Sequence, residues 1–391
     1  MAQTVTPAEG VVNSGVGPNL GLRDRAKAPH STVREARIED YSEIAALQSR
    51  NGLSTRPYEH WSALWADNPA QLNRKLPIGW ILEGADGKVG GYCGNIPMAY
   101  QFRGRALQAV TPHSWVVDPA YRCHSLDLLY RFQNQKDVDL FVLSTPNAIV
   151  EKILSALKFS RVNSGRWDQT GFWITGYLGF ARSVLRAASI PWPGVLAYPL
   201  SAVLFLGDVF AGPRPPSPGV EFEFCSGFDF RFDNFWEELK REENGRLLAE
   251  RSLAALKWHF RPALARHHAW ILAASRGSRL VAYAIFDRQD NPGLQLKRLR
   301  LTDFQALRGF EGLLRPALGL ILNKSRDEGI HVIENVGCWL ERLGVSGTAA
   351  QHHRRLQSWL FYYKTRDEKL FRQLQDPNVW VPSSFDGDAS L

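Results

Sequence analysis

Two stretches of this chain read as the same β-hairpin, and that repeat limits the fold more than any other feature. "GWILEGADGKVGGYCGNI" (Gly79–Ile96) and "AWILAASRGSRLVAYAIF" (Ala269–Phe286) each run Trp-Ile-Leu, a polar turn, then Val, small residues and Tyr. Apolar runs on either side of a glycine-bearing turn are the pattern of paired strands. The flanks correspond as well. An apolar run begins at Val33, 47 residues before Trp80, and another at Val220, 50 residues before Trp270. Downstream, "VDLFVLST" starts 58 residues after Trp80 and "IHVIENVG" 60 residues after Trp270, and each leads into a helical pattern. These spacings predict two copies of one α/β unit. The shared residues are few, so a chance pairing of two Trp-led hairpins is the competing explanation.

A chain of 391 residues, 45% hydrophobic and 22% charged, has room for two such units with ample core. The expected division is a flexible leader over 1–31, a first domain over 32–180, an apolar and then Pro-rich linker over 181–219, and a second domain over 220–391. The leader has no basic-then-apolar layout and is not read as a signal peptide. Prolines 191, 193 and 199 interrupt the apolar part of the linker. Its unbroken piece is far short of the roughly 20 residues that span a bilayer. Two roles stay open for it: packing between the domains, which is preferred, or peripheral membrane contact through residues 181–212 beside Arg182 and Arg186.

The net charge of +8 favours anionic partners. Only "LKRLR" (Leu296 to Arg300) and "HHRR" (His352 to Arg355) are locally dense in base, so a nucleic acid is not expected. The four cysteines, Cys93, Cys123, Cys225 and Cys338, form no CxxC pair. Neither a disulfide framework nor a metal site is expected, and a reducing, cytoplasmic location is.

The most informative single stretch is "WVVDPAYRCHSLDLLYRF" (Trp115 to Phe132), in which a strand ends in Asp-Pro, an arginine follows, and a helix begins. Before it come a strand from Val33, a helix, the helical "YEHWSALWADNP", the hairpin and a long strand over Ala109 to Val117. After it come "VDLFVLST" and the helix "PNAIVEKILSALKF". This order resembles the GNAT acyl-CoA N-acyltransferase superfamily, closely over Val33 to Gln169 and loosely in the second copy. The resemblance implies two GNAT-like mixed β-sheets flanked by helices, in tandem.

In that family the turn after the fourth strand follows Gln or Arg, two residues, Gly, one residue, then Gly or Ala, and it cradles the coenzyme A pyrophosphate with backbone amides at a helix N-terminus. The resemblance places Arg122, Cys123, His124, Ser125, Leu126 and Asp127 there. Arg122 fits the pattern. Ser125 and Asp127 stand where small residues are usual, and a carboxylate beside a pyrophosphate repels it unless it turns away. Asn147, eleven and twelve residues before Lys158 and Phe159, matches a second family spacing, whereas Leu154 stands where a thiolate-protonating tyrosine is common. The backbone of Trp115, Val116 and Val117 corresponds to the part of the fourth strand that stabilises the tetrahedral oxyanion. His113, the single imidazole on that strand, is the candidate general base, with Glu83 and Tyr92 as weaker substrate contacts.

The second copy has no such turn after "LQLKRLRLTDF" and is not expected to bind coenzyme. Its "LKWHFRP" (Leu256 to Pro262) has a flavour of FemAB-type and exopolysaccharide-associated acyltransferases, although its aromatics also suit a core. The expected function is transfer of an acyl group from acetyl-CoA or another acyl-CoA to an amine on a small molecule or saccharide, amino sugars included. A FemAB-like aminoacyl transferase and a noncatalytic pair of GNAT folds are the alternatives.

Overall fold

A computed structural model describes residues 30–72, 75–163, 165–208, 219–356 and 360–391. The expected leader, apart from its last two residues, and the Pro-rich end of the linker lie outside the described residues. The first half begins with β1 (Ser31–Glu35), α1 (Tyr41–Arg50), α2 (Tyr58–Ala66) and the short α3 (Pro69–Leu72). Strands β2 (Gly79–Gly84), β3 (Val89–Phe102) and β4 (Arg105–Val117) follow, then α4 (Ser125–Gln133), β5 (Leu140–Leu143), α5 (Ala148–Ala156), β6 (Ser160–Arg161) and β7 (Gln169–Ile174). Two helices come next, α6 (Tyr177–Ala187) and α7 (Pro193–Asp208). The second half opens with β8 (Glu221–Cys225), α8 (Phe230–Glu242), β9 (Leu248–Ala249) and α9 (Leu253–Ala265). It continues through β10 (Ala269–Arg276), β11 (Arg279–Arg288), β12 (Arg298–Ala306), α10 (Leu314–Asp327), β13 (Val332–Val336), β14 (His352–Arg355), β15 (Tyr362–Lys364) and α11 (Glu368–Leu374).

Local chemistry explains many of these boundaries. Asn147, Asp229, Ser252 and Asp367 each accept from amides in the first turn of the helix they precede, which satisfies donors a helix start leaves unpaired. The two repeated hairpins turn at Gly87 (φ +78°) and Gly277 (φ +61°), left-handed conformations that a side chain strains. On α1 the buried Ile44, Leu47 and Gln48 share one face.

The strands form two mixed sheets flanked by helices. One runs β1-β2-β3-β4-β5-β15-β6, with β9 added beside β3, and the other β8-β10-β11-β12-β13-β7-β14. Position by position the orders match: four antiparallel strands, a parallel step from β4 to β5 or β12 to β13, then an antiparallel strand and an edge. Trp80 and Trp270 therefore occupy equivalent places.

The penultimate strand of each sheet comes from the other half. β7 pairs with β13 in the second sheet, and β15 pairs with β5 in the first. The expected division at 180 and 220 is thus a division of chain order and not of sheets. The core shows the same mixing, since Met98, Tyr100 and Leu140 pack in one cluster with Phe232, Trp270 and Phe286.

The expected packing of the linker between the halves is not what is found. Helix α7 packs on α6 through Ala181, Leu185 and Ala197, with Leu178, Leu200 and Leu204 around them, and its other face is exposed. No helix among the described residues is long and apolar enough to cross a membrane.

Candidate active site

Strands β4 and β5 are joined at Ala109–Leu140 and Val110–Phe141. Beyond that point β4 continues to Val117 while β5 ends at Leu143, so the strands part. Among the described residues no backbone pairs with the side of Thr111–Val117 that faces the gap. On its other side β4 pairs with β3, and the register slips so that Tyr92 faces Val116 and Gly94 faces His113. The extra residue makes a β-bulge, with Ser114 bent at φ +55°. Bulges re-aim the peptide groups beside them, here at the mouth of the gap. Trp115 and Val117 bury their side chains on one face of the sheet and Val116 on the other, with the Trp115 Nε1 buried without a partner among the described residues.

The turn after β4 is itself helical. Residues Pro119–His124 form a 3-10 helix that runs straight into α4, and the Ser125 amide donates to the Arg122 carbonyl. The amides of His124 to Asp127, expected to cradle an anion, lie inside this helical run and are directed back along it. The turn is clamped from outside. Asp118 accepts from Arg50 at 2.6 Å and from Asn51 at 2.7 Å. Tyr121 lies against Gly90 so closely that a Cβ there would meet its ring at 2.4 Å.

Two polar groups in the turn, Arg122 Nε and Ser125 Oγ, are buried without a hydrogen-bond partner among the described residues. Leaving such groups unpaired is costly unless something else binds them. The Asp127 carboxylate lies 3.2 Å from His124 Nδ1, so it is turned onto the imidazole. Cys123 is a half-buried free thiol and Leu126 is half-buried. Asn147, expected to contact coenzyme, uses Oδ1 to cap α5, accepting from Ile149 and Val150 at 3.0 Å.

Burial, and next the nearby Arg56 guanidinium, push the His113 pKa down to about 3. A proton on this ring would place a second positive charge beside Arg56 where little water can screen it. Both influences favour the neutral ring and weaken it as a proton acceptor. Glu83 is engaged by Arg34. Tyr92 is fully buried, and burial raises its phenol pKa.

A cleft of about 760 Å³ opens beside Arg56, between the α1–α2 connection and the second half. Arg56, Glu59 and His60 line one side, and Trp258, His259 and Asp287 the other. Trp258 ties the halves together, donating from Nε1 to the Ala63 carbonyl at 2.9 Å. Of the "LKWHFRP" stretch, Leu256 and Phe260 are core while Trp258 and His259 reach the cleft. Burial pushes the His259 pKa down to about 3, against the pull of Asp303, and its Nε2 lies 2.9 Å from Ser390 Oγ. Burial raises the Asp287 pKa; Oδ2 accepts from Gln289 at 3.1 Å, and Oδ1 is buried without a partner among the described residues. Arg56 and Asp287 were missed from sequence, and His259 was covered only as part of "LKWHFRP". They lie on three distant segments with no shared motif.

In the two base-rich stretches Lys297, His353 and Arg355 are exposed, while other arginines are engaged. Arg298 and Arg300 are buried in β12 near Glu334, at 3.5 and 3.8 Å, and Arg354 donates to the same carboxylate at 3.0 Å. Cys338, Glu341 and His353 lie close enough to share an ion, but Arg166 already forks onto Glu341.

No family model matches the chain, and no curated protein matches its sequence. Solved structures do match its shape. A conserved protein from Enterococcus faecalis V583, described as a probable N-acyltransferase, aligns with TM-score 0.53 and 11% identity over 86% of this chain and 72% of that one. A GCN5-related N-acetyltransferase from Anabaena variabilis ATCC 29413 aligns with TM-score 0.50 and 11% identity over 86% and 73%. Saccharomyces cerevisiae N-myristoyltransferase with bound myristoyl-CoA aligns with TM-score 0.50 and 9% identity over 91% and 86%. The fold is GNAT-like. The likeness is one of fold alone, at 9–11% identity.

Proposed function

We propose that the protein is an acyltransferase that takes an acyl group from a coenzyme A thioester and passes it to an amine held in the cleft between the halves. The observation that carries this reading is the gap between β4 and β5, bulged at Ser114 and ending at the unpartnered Arg122 Nε and Ser125 Oγ. The amine, once its ammonium has given a proton to water, would attack the thioester carbonyl; the C–N bond forms, the C–S bond breaks, and the second proton lost from nitrogen ends on the departing thiolate or in water. Arg122 and Ser125 would hold phosphate, and the re-aimed backbone around Trp115 would bind the oxyanion. Asp287, with Oδ1 free in the cleft, suits an ammonium group, while Arg56 and Arg266 suit an acidic or hydroxyl-rich remainder, such as that of an amino sugar. The thiolate needs little acid help near neutral pH, because thiols titrate at about 8.5. Leu154 in place of a tyrosine is therefore tolerable.

A specific observation favours a second reading, a noncatalytic GNAT-like pair: the helical run from Pro119 withdraws the amides that would otherwise bind pyrophosphate. One titration separates the two. Calorimetry with acetyl-CoA, with a long-chain acyl-CoA such as myristoyl-CoA and with free coenzyme A should give saturable binding at about 1 mM or tighter for a thioester. Thiol release on adding amines would then identify the acceptor class. Absence of binding by all three would leave the noncatalytic reading.

A further inference from the structure

Helix α7 is apolar on every side, and that is abnormal for a helix at a protein surface. Ala197, Leu200 and Leu204 face α6. The opposite stripe, Val195, Leu196, Pro199, Ala202, Val203 and Leu206, follows the same helical period and is exposed, with Val203 67% and Leu206 66% accessible. A water-facing helix carries polar residues on such a stripe, and contiguous apolar surface of this kind marks a contact.

We propose that the α6–α7 hairpin is a membrane-docking element that lays α7 along an anionic bilayer surface. Three observations select lipid as the occupant. Between Asp168 and Asp208 the only charged residues are Arg182 and Arg186, one turn apart on α6, so the hairpin carries only positive charge up to Asp208, the last residue of α7. The aromatic residues sit where a headgroup layer would meet them: Trp192 at the tip of the hairpin is 77% exposed, Tyr198 is 60% exposed, and the Arg182 guanidinium lies 5.9 Å from the Tyr198 ring. Tryptophan, tyrosine and arginine beside an apolar stripe are the composition of interfacial helices. The third is length. Sixteen residues extend about 24 Å, too short to span but enough to lie flat with the outer stripe among the acyl chains. This inference does not depend on the acyltransferase reading.

The test is sedimentation of the full chain with vesicles of phosphatidylcholine alone and of phosphatidylcholine with about one-third phosphatidylserine, at low and high salt. The parent should pellet with the anionic vesicles and be weakened by salt. Leu196→Glu with Val203→Glu should abolish pelleting while leaving thermal unfolding unchanged, because both side chains are already in water. Arg182→Gln with Arg186→Gln should weaken binding to anionic vesicles by about fivefold per charge and leave binding to neutral vesicles unaltered. A parent that stays in the supernatant with both vesicle types overturns the proposal, as does pelleting that survives the double glutamate change. Light scattering that shows a dimer converted to monomer by those glutamates, with no vesicle binding by the parent, would assign the stripe to a second copy instead.

Discussion

The two sheets repeat one strand order, yet the gaps between their parallel strands are treated oppositely. In the first sheet β4 and β5 separate after Val110 and Phe141, and β4 bulges at Ser114 beside the gap. In the second, β12 and β13 separate after Arg300 and Glu334, and the chain itself fills the space. The Phe385 amide donates to the Thr302 carbonyl at 3.1 Å, and Ser384 Oγ to the Val336 carbonyl at 3.4 Å. Below that segment Arg251, fully buried, donates to Asp303 at 2.8 Å and to Asp386 at 3.2 Å. Parted strands expose backbone groups that need partners. One copy satisfies them with its own chain, and the other leaves them for something else.

The strongest way to break this comparison is to remove the plug's anchor. Arg251→Met leaves Asp303 and Asp386 buried without their counter-charge, and it should cost about 3–5 kcal/mol in denaturant unfolding. A loss under about 1 kcal/mol would mean that the segment does not depend on the ion cluster. The pH dependence has a defined sign. Burial works against the Asp303 carboxylate, but Arg251 more than offsets it and holds the pKa below the ordinary range. That contribution is present above the unfolded value of about 3.9 and is lost as pH falls through the lower folded value. Unfolding measured from pH 6 downward should therefore show an acid limb that is weaker in Arg251→Met.

On the open side, Arg122→Ala should weaken acyl-CoA binding by about ten- to a hundredfold in calorimetry, with thermal stability unchanged, since Arg122 Nε bonds no described group. Asp287→Asn should raise KM for the amine about tenfold and leave acyl-CoA affinity alone, provided its free oxygen meets the acceptor. His113→Gln should change kcat by less than about tenfold, against the hundredfold or more that a general base supplies. The pH–rate profile of the parent should show no inflection from His113 near 6.5, because its ring stays neutral down to about 3. Smallest of all, Asp127→Gly should leave affinity nearly unchanged and cost a little stability, since the carboxylate faces His124 and not the gap.

Sequence alone determined what depends on neighbours along the chain. Period and turn chemistry located both hairpins, with their left-handed glycines at Gly87 and Gly277, and equal spacing made Trp80 and Trp270 equivalent. The fourth strand and the arginine after it were also legible, because strand, Asp-Pro stop and helix follow one another directly. Tertiary structure decided what depends on distant partners. Which sheet receives β7 or β15 is a contest between edges that local pattern does not record. Arg56, His259 and Asp287 meet only because α9 docks on α2. The burial of His113 beside Arg56, which lowers its pKa, is likewise tertiary, whereas Asn147 caps the helix that follows it directly. The all-apolar α7 reads the same whether its outer face is covered or bare, since hydropathy states what a surface prefers and not which surface arrives to meet it.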